Sequence, residues 1–546
     1  MMKRRTLALT VAMVMLLSIG LTGCTAKKPT TTTTKEPQVL TLNLGSENST
    51  LDFQKCSSSG EIQIYNWIME GLTRSAGKGT VQPGIAEKWE VSPDGLVWTF
   101  HLRAANWSDG KPVVAENFSY GAFRAIDPKD PKEYAYFLFD IVGAEEYAAG
   151  KATKEQVGIK VVDDKTITYT LKQPVTYFDY LVSFATYAPA REDVVTKDGQ
   201  KYNTEANLFV TNGPFKVTGW THNSEMTFEK NAGYWDAKKI KLDKINGLMI
   251  TEDSTEFNMY TAGEIDTTMA LDAEQKAAVT KGTVSKYADG SVWFFDFNNT
   301  DKVFKNKNIR KALTLAIDRK SFIDNVAKAP WIPATAYVQP EIIPDADGKT
   351  PFRDKTPSYF KDNDIAGAKA FLATGMKELG ITKMPKVKLL CNDAAKSQLY
   401  AQAFQEMWNK NLGIDSEIEP VPPAQRIERQ HSKDYQVSFA GWGPDYPDPM
   451  TDLDLYVTGA GNNDVAYSNP VYDKLIKAAK SEVDKTKKFE MMHQAEDILM
   501  EDMPIGPLYF RYRDYAVREY VKGYTRDSFA PDMNPVYAWI EGKPAK

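Results

Sequence analysis

The sequence predicts an α/β protein of two lobes, with mixed β-sheets flanked by helices and a cleft between the lobes. The first half carries period-two apolar runs joined by tight turns, a pattern typical of β-hairpins. The second half carries long amphipathic helical patterns with short strands between them, which favours a partly parallel sheet. About 520 residues follow the N-terminal segment, enough for several domains by length alone.

The N-terminal segment is typical of a secretory signal. Basic residues at 3–5 precede an apolar run at about 7–21 that is too short for a membrane span. The run ends in Leu-Thr-Gly-Cys, which resembles the lipobox of bacterial lipoproteins and implies a diacylglyceryl group on Cys24. We therefore expect a signal peptide at 1–23 and a polar, lipidated flexible tether at 24–37. An ordinary signal peptide with a chance cysteine is the alternative.

Net charge and cysteine content argue against a nucleic-acid partner, a disulfide and a cysteine metal cluster. The formal net charge is −5, and loss of the signal removes three positive charges to leave −8. An acidic chain of this kind argues against a nucleic-acid partner. Besides Cys24, only Cys56 and Cys391 are present. Two isolated buried thiols are favoured over a disulfide between such distant positions, and they do not form a metal cluster.

Two hairpins and a helix are predicted in the first half. The turn Pro93-Asp94-Gly95 leads into a strand at 97–102 that places Trp98, Phe100 and Leu102 on one face. A second hairpin turns at 163–164, between the runs IKVVDD and KTITYTL. Between the hairpins, the spacing of apolar residues predicts a helix over 115–126.

The second half predicts longer helices and the strands between them. A continuous apolar stripe predicts one helix over 308–327, and similar patterns predict helices over 398–412 and 471–484. Strands are expected at 386–390 and 435–442. Ligands of open α/β sheets bind at the carboxyl ends of strands, so a cleft near these strands is expected.

Motifs for catalysis or metal binding are not found. The four histidines are scattered without a matching nucleophile or carboxylate, and no G-x-S-x-G or H-E-x-x-H motif occurs. The acidic start at Asp362 lacks the ligands of a calcium loop and is better interpreted as a helix start. Asp448, Asp452 and Asp454 are interpreted as turn, cap or surface residues. We therefore expect no enzyme, no cofactor and no metal.

Six stretches together resemble one family. They are PGIAEKWEVSPDGLVWTFHLRAANWSDGKPVVAENFSY at 83–120, TNGPFKVTGW at 211–220, NAGYWDAKKIKLDKI at 231–245, GEID at 263–266, FNNTDKVFKNKNIRKALTLAIDR at 297–319 and AGWGPDYPDP at 440–449. In order and spacing they are similar to extracellular solute-binding protein family 5, and in particular to the oligopeptide-binding lipoproteins of bacterial peptide ABC importers. The resemblance covers nearly the whole mature chain.

The resemblance implies a three-domain fold of the periplasmic-binding-protein type, a cluster C-like flytrap that closes on its ligand. Domain I would be discontinuous, over 38–72, 205–300 and 516–546. Domain II would be 73–204, and domain III would be 301–515. The same resemblance implies a protein, expected to be a monomer, on the extracytoplasmic face of the cell membrane, on the periplasmic side or at the cell surface. It would deliver peptides to an ABC permease and its ATPase.

The resemblance also implies the ligand-binding residues. Main-chain pairing with an extended peptide is carried over to two segments, Gly441-Trp442-Gly443 and Ser57-Ser58-Ser59. The stretch D-Y-P-D-P matches the family pattern whose aspartate holds the ligand's α-ammonium group, so that role falls to Asp445. Trp442 would supply a neighbouring stacking face, and Pro444 would end the main-chain pairing because it lacks an N–H group.

Three features leave alternatives open. Some relatives place a basic residue for the peptide carboxylate where this chain has Phe439, and Lys396 is a loose substitute. The aromatic run at 293–297 is expected mainly in the core, with Asp296 as a weak cleft candidate. Relatives with this architecture also carry oligosaccharides, nickel chelates or opines, so import of a non-peptide solute is the alternative function.

Overall fold

The computed structural model describes residues 36–544 except 57, 78, 131, 357, 530 and 531. The predicted signal peptide, Cys24 and Ser57 lie outside the described residues. Gln38–Lys546 form one compact unit. Among the described residues, no helix is both long enough and apolar enough to cross a membrane.

The strands and helices of the described residues follow in chain order. The strands are β1 (Val39–Asn43), β2 (Thr73–Gly77), β3 (Thr80–Pro83), β4 (Ala86–Val91), β5 (Val97–Leu102), β6 (Ile159–Asp163), β7 (Thr166–Thr170), β8 (Phe215–Thr221), β9 (Glu225–Lys230), β10 (Lys244–Leu248), β11 (Thr283–Phe297), β12 (Ile332–Pro333), β13 (Val387–Asn392), β14 (Ser416–Val421), β15 (Val437–Trp442), β16 (Ile505–Val517), β17 (Val521–Lys522), β18 (Thr525–Arg526), β19 (Met533–Asn534) and β20 (Trp539–Ile540). The helices are α1 (Ser59–Ile68), α2 (Ala115–Ala125), α3 (Ala144–Ala148), α4 (Phe178–Leu181), α5 (Glu192–Asp198), α6 (Asp253–Ala262), α7 (Ala273–Ala278), α8 (Lys307–Leu315), α9 (Arg319–Ser321), α10 (Ile365–Leu379), α11 (Ala395–Leu412), α12 (Pro423–His431), α13 (Met450–Leu453), α14 (Pro470–Ser481) and α15 (Lys485–Asp502).

Three larger sheets organise the compact unit. Their strand orders are β1-β10-β9-β8, β4-β5-β7-β6 and β12-β16-β11-β15-β13-β14. In the six-stranded sheet, β13 pairs in parallel with β14 and β15, whereas β11 pairs antiparallel with β15 and β16. This sheet is therefore mixed, and the partly parallel sheet predicted for the second half is confirmed.

The two predicted hairpins are confirmed in the antiparallel sheet β4-β5-β7-β6. Trp98, Phe100 and Leu102 of β5 are buried while their neighbours are more exposed, as the period of two requires. Tyr169 of β7 packs edge-on against Phe100, with ring centroids 5.9 Å apart. The predicted helix between the hairpins is α2.

The six-stranded sheet packs against α11 through aromatic side chains. Phe295 of β11 contacts Phe404 and Trp408 of α11 at ring-centroid distances of 5.2 and 4.9 Å. The Trp408 indole Nε1 donates to the Leu313 carbonyl at 2.9 Å, which fixes α11 against α8. The aromatic run at 293–297 is thus mainly core, as expected.

The single helix predicted over 308–327 is wrong. α8 ends at Leu315, Asp318 caps α9 by accepting from the Ser321 N–H at 2.9 Å, and a π-helix follows at Phe322–Ala327. The reason is the fully buried Arg319, whose guanidinium donates to the carbonyls of Thr314, Ile317 and Pro507. A buried guanidinium must satisfy several donors, and carbonyls freed by the helix break accept them.

Two further predictions are confirmed. Cys56 and Cys391 are free and buried, and burial raises the pKa of both thiols. The acidic stretch at 362–367 is a helix start, because the Asp364 carboxylate accepts from the Gly367 N–H and caps α10. The domain boundaries stay predictions. One observation bears on them: β11, placed in domain I, pairs with β15 and with most of β16, which are placed in domain III.

Candidate ligand-binding site

The loop after β15 is shaped by prolines and anchored to α13. Pro444, Pro447 and Pro449 fix the backbone φ angle at three positions between Trp442 and Met450. The Asp445 N–H donates to Thr451 Oγ1 at 3.0 Å. The loop therefore holds Asp445 in a defined position next to the last residue of β15.

A cavity of about 840 Å³ lies in front of Asp445, and we call it the Asp445 cavity. One wall comes from the segment between Tyr136 and Leu181, and the other from the segment between Trp442 and Lys480. Ligand sites of small molecules typically occupy about 300–1,000 Å³. The cavity is large enough to receive a ligand group beside the carboxylate.

The Asp445 carboxyl group has an unusual electrostatic setting. Its pKa is raised to about 7, mainly by burial and further by the nearby charge of Asp454, while a hydrogen bond with the Tyr136 hydroxyl acts in the opposite direction. Lys480 lies 3.1 Å from Asp454 and is therefore engaged elsewhere. Among the described residues no cation is paired with this desolvated carboxyl group, which favours a cationic partner supplied by a ligand.

β15 presents a free edge next to the same loop. It pairs with β13 only at Val437 and Ser438, whereas its other edge pairs with β11 up to Trp442. From Phe439 onwards, the edge towards β13 has no strand partner among the described residues. Unpaired backbone donors and acceptors of this kind can bind an extended chain.

Gly441 and Trp442 lie on the unpaired part of β15, next to the Asp445 cavity. A Cβ atom at Gly441 would lie 2.8 Å from the indole of Trp293, so a larger residue would force that ring to move. Trp442 is half-buried and lines the Asp445 cavity. Its indole Nε1 is buried and has no hydrogen-bond partner within the described part of the chain.

The two walls of the Asp445 cavity are joined by an aromatic and ionic contact. The rings of Tyr177 and Tyr446 stack at a centroid distance of 4.1 Å and an angle of 9°. Beside them, Lys488 Nζ lies 2.7 Å from Asp448 Oδ2 and 3.0 Å from Thr176 Oγ1. We call these residues the wall contact. They keep the two walls together behind Asp445.

A second cavity of about 440 Å³ lies where β13 and β15 diverge, and we call it the fork cavity. Asn392 at the end of β13 and Phe439 of β15 both line it. Trp331 and Tyr509 stack in its wall at a centroid distance of 4.1 Å. Arg511 and Arg513 of β16 also line it.

Comparison with known proteins decides the family. The family model described as bacterial extracellular solute-binding proteins, family 5 Middle, matches residues 80–464. This chain belongs to that family. Its place is therefore extracytoplasmic.

Similar proteins of this solute-binding family cover nearly the whole chain. Oligopeptide-binding protein OppA of Bacillus subtilis (strain 168) is 38% identical over 503 residues, 90% of this chain and 90% of the relative. Dipeptide-binding protein DppE of the same organism is 35% identical over 518 residues, which are 93% of this chain and 95% of the relative. The solved structure of Listeria monocytogenes OppA bound to peptide matches with a TM-score of 0.79 at 33% identity, covering 92% of this chain and 99% of that chain. The predicted fold class is confirmed.

The structure brings together part of the site expected from the family resemblance. Trp442 and Asp445 line one cavity, and Gly441 and Gly443 flank Trp442 with exposed backbone. Ser58 and Ser59 lie at a helix start instead: Ser58 caps α1 by accepting from the Glu61 N–H, and Ser59 is the first helical residue. They offer a helix N-terminus in place of an extended edge, and their contact with a ligand stays a prediction.

Several other residues considered from the sequence do not line the Asp445 cavity. Asp296 is buried, accepts a hydrogen bond from Gln430 Nε2 at 2.5 Å and lines neither cavity described above. Lys396 lines the fork cavity but pairs with Asp253 at 3.0 Å. Asp448 and Asp452 are buried, which excludes the surface alternative among the turn, cap or surface roles predicted for them. Asp448 still caps its own turn by accepting from the Met450 N–H at 3.0 Å.

Sequence reasoning missed the residues that close the cavity from the other side. Tyr136 and Tyr177 lie far from Asp445 in sequence, and only the tertiary fold brings them to it. The aromatic cluster between Tyr134 and Phe139 was a signal that could have been noticed. Within the described residues, no group of three or more histidine, cysteine or acidic side chains is arranged to hold a metal ion.

Proposed function

We propose that this chain is the binding component of a bacterial peptide ABC importer. It binds oligopeptides outside the cytoplasm and delivers them to the permease and ATPase of the transporter. The observation that carries the proposal is the Asp445 carboxyl group in its cavity beside the free edge of β15. The names of the relatives, oligopeptide-binding and dipeptide-binding proteins, support the same ligand class.

Asp445 holds the ligand's α-ammonium group in this proposal. The ammonium of a peptide supplies a cation to the desolvated carboxyl group, and a charge-assisted hydrogen bond is worth about 1.5–3 kcal/mol. The Trp442 ring lies next to this position and offers a stacking face. Because the contact uses only the ligand's first amino group, it does not select among side chains.

The ligand backbone pairs with the edge of β15. Gly441, Trp442 and Gly443 offer N–H and carbonyl groups, and Pro444 ends the pairing because it has no N–H group. The segment Ser57-Ser58-Ser59 is proposed as a second contact of the ligand main chain. Closure of the predicted domains I and III around the peptide would bury these contacts.

Catalysis and non-peptide cargo are not part of the proposal. The relatives are named as binding proteins, and the four histidines of the sequence form no nucleophile-base pair that a hydrolase needs. Oligosaccharides, nickel chelates and opines are not favoured, because an unpaired strand edge next to a carboxyl group suits a peptide main chain and its ammonium.

Anchoring through Cys24 is the proposed mode of membrane attachment, with the protein acting as a monomer. A diacylglyceryl group plus a further acyl chain would give durable attachment. We expect an alkyne-tagged fatty acid to label the protein in bacterial cells, and Cys24→Ser to lose the label and the membrane association. Labelling that survives Cys24→Ser would contradict the anchor.

Mass spectrometry of the natural ligands tests the peptide function directly. Protein purified without denaturation and then extracted with acid is expected to release a mixture of intact short peptides. Peptides with a free N-terminus should predominate, because each one supplies the ammonium group for Asp445. Release of only non-peptide solutes would reject the proposal.

Binding is expected to depend on pH through Asp445. Its pKa is raised to about 7 in the ligand-free protein, and only the ionised form attracts an ammonium group. Below this pKa the bound ligand must displace a proton, so affinity falls as pH falls. At about pH 6 roughly one-tenth of the carboxyl groups are ionised, so affinity should be roughly tenfold lower than at about pH 7.5.

Isothermal titration at several pH values measures this dependence, and an N-acetylated peptide is the control. The acetylated peptide has no ammonium group, so it should bind more weakly. Its affinity should not decrease between about pH 7.5 and about pH 6. Equal affinities for the free peptide at both pH values would remove Asp445 from the contact.

A further inference from the structure

The fork cavity lies on one face of the six-stranded sheet. Trp293 of β11 pairs with Gly441 of β15 on one side and with Tyr509 of β16 on the other, so these residues form one row across the sheet. Side chains in such a row point to the same face, and Phe439 points there too because it lies two residues from Gly441. The three rings line the fork cavity. Trp442 points to the opposite face and lines the Asp445 cavity.

The missing side chain of Gly441 lets an indole reach the free edge of β15. A Cβ atom at this position would lie 2.8 Å from the Trp293 indole, so the ring occupies the space above the Gly441 backbone. On the side towards β13, β15 has no strand partner at this level among the described residues. A chain bound along the free edge therefore passes beside the Trp293 ring.

Further rings extend this aromatic surface. Tyr509 stacks on Trp293 at a centroid distance of 6.0 Å and an angle of 11°. The pairing of β12 with β16 at Pro333 and Tyr509 brings Trp331 onto the other side of Tyr509, at 4.1 Å and 8°. Tyr400 stands edge-on to Trp331 at 5.8 Å. We call Trp293, Tyr509, Trp331 and Tyr400 the aromatic wall, and all of its rings except Tyr509 are partly exposed.

Charged groups of the fork cavity are engaged in ion pairs. Arg511 Nε and Arg513 Nε both bond to Asp289 Oδ2, the second at 2.9 Å. Lys396 pairs with Asp253 at 3.0 Å. An ionised ligand side chain would compete with these pairs, whereas an apolar side chain leaves them intact. The cavity therefore favours an uncharged side chain.

A peptide bound at the edge of β15 presents its side chains alternately to the two faces of the sheet. In the proposed binding mode its first residue lies at Asp445, beyond the carboxyl end of β15, so its chain runs antiparallel to β15. Pairing starts at Gly443, because Pro444 has no N–H group. The third ligand residue then lies opposite Gly441, and directly opposite residues of an antiparallel pair share one face. Its side chain therefore points to the fork cavity.

We propose that the fork cavity is a specificity subsite that binds an aromatic side chain of the third peptide residue against the aromatic wall. This inference rests on the proposed function and names a class of preferred peptides within it. A flat ring can stack on or stand edge-on to the rings of the wall, and its burial removes apolar surface from water on both partners. The second and fourth side chains point to the opposite face and meet no such wall.

Titration calorimetry near pH 8 with a set of pentapeptides tests the proposal. The reference is pentaalanine with free termini, and a single phenylalanine replaces its second, third or fourth alanine. Phenylalanine at the third residue should bind roughly tenfold tighter than the reference. At the second or fourth residue it should change the affinity by less than about threefold. A further peptide with glutamate at the third residue tests whether the arginines decide the preference instead.

Two variants change the cavity in opposite ways. Trp331→Ala removes a ring of the aromatic wall, and Ala394→Trp adds a ring where α11 begins at the cavity. In both variants the gain from the third phenylalanine should fall to about threefold or less, while the affinity for pentaalanine stays close to that of the wild type. Ala394 is exposed, so its variant tests the proposal even if Trp331→Ala does not fold.

Trp539→Ala is the matched control. Trp539 is partly exposed like Trp331, but it lies in β20 with Lys241 Nζ 3.6 Å from its ring centroid and does not line the fork cavity. This variant should keep the full gain from the third phenylalanine. Thermal unfolding of each variant without peptide checks that it is folded.

The outcomes separate the subsite from the proposed function. Absence of a gain at the third residue in the wild type overturns the subsite, and so does a gain that survives in the folded cavity variants. Tighter binding of the glutamate peptide than of the phenylalanine peptide overturns it in favour of the arginines. If all the peptides bind with equal affinity, the subsite fails and peptide binding at Asp445 stands. If none of them binds, the subsite and the proposed function fail together.

Discussion

Replacing Asp445 by asparagine is expected to weaken binding of a peptide with a free N-terminus by roughly ten- to a hundredfold. Asparagine keeps the size of the side chain but removes the charge that attracts the ammonium group. Titration calorimetry near pH 8 gives the clearest measurement, because the carboxyl group, with a pKa of about 7, is then ionised. The expected loss is the value of one charge-assisted hydrogen bond in a partly buried site.

The stability of ligand-free Asp445→Asn should not fall. Because the pKa of Asp445 is raised to about 7, the folded state binds its proton more tightly than the unfolded chain does. Wild-type stability is therefore lost as pH rises from the unfolded value towards 7, and asparagine removes this loss. A thermal unfolding temperature at least equal to that of the wild type near pH 8 would exclude misfolding as the cause of weak binding.

A neighbouring carboxyl group and a blocked ligand provide the controls for this variant. Asp473 also lines the Asp445 cavity, and Asp473→Asn should keep most of the affinity. An N-acetylated peptide should bind Asp445→Asn and the wild type alike. If both variants weaken both peptides equally, the effect is a general loss of negative charge, and the ammonium contact is wrong.

Replacing Lys488 by methionine is expected to lower the free energy of unfolding by about 3–5 kcal/mol. Lys488 and Asp448 are both about 5% exposed, and the ammonium lies 2.7 Å from the carboxylate. Methionine preserves much of the aliphatic packing but leaves Asp448 buried without its cation. Chemical denaturation monitored by tryptophan fluorescence measures the change.

The double variant Asp448→Asn with Lys488→Met separates an unpaired charge from lost packing. Removing both charges should recover most of the stability, since a buried ion pair is often replaceable by neutral groups. Peptide affinity of the double variant should remain below wild type, because Lys488 also donates to Thr176 Oγ1 and helps to hold the two cavity walls together. If Lys488→Met alone is as stable as the wild type, the ion pair between Lys488 and Asp448 contributes no stability.

Much of the architecture could be predicted from local patterns. The burial of Trp98, Phe100 and Leu102 follows from a period of two that the sequence displays directly. The helix start at Asp364 follows from its capping chemistry. The helix over 308–327 could not be predicted in the same way. Its break depends on Arg319 reaching the Pro507 carbonyl, which lies 188 residues away in the chain.

The residues of the site were likewise only partly predictable from the sequence. The family resemblance supplied Asp445, Gly441 and Trp442, because they form one continuous motif. It gave no account of Tyr136, Tyr177 or Arg511, which reach the two cavities from distant segments. For Asp448 the sequence left turn, cap and surface roles open, because it does not show that Lys488 is buried beside this carboxylate.

By itself, the sequence determined the element types, the motif of the β15 loop and the family, because these depend on residues close together in the chain. Only the tertiary structure decided the pKa of Asp445, the open edge of β15 and the pairing of Arg511 and Arg513 with Asp289. Desolvation and Coulomb interactions depend on which groups lie within a few ångströms. For these groups, that neighbourhood is built by segments far apart in sequence.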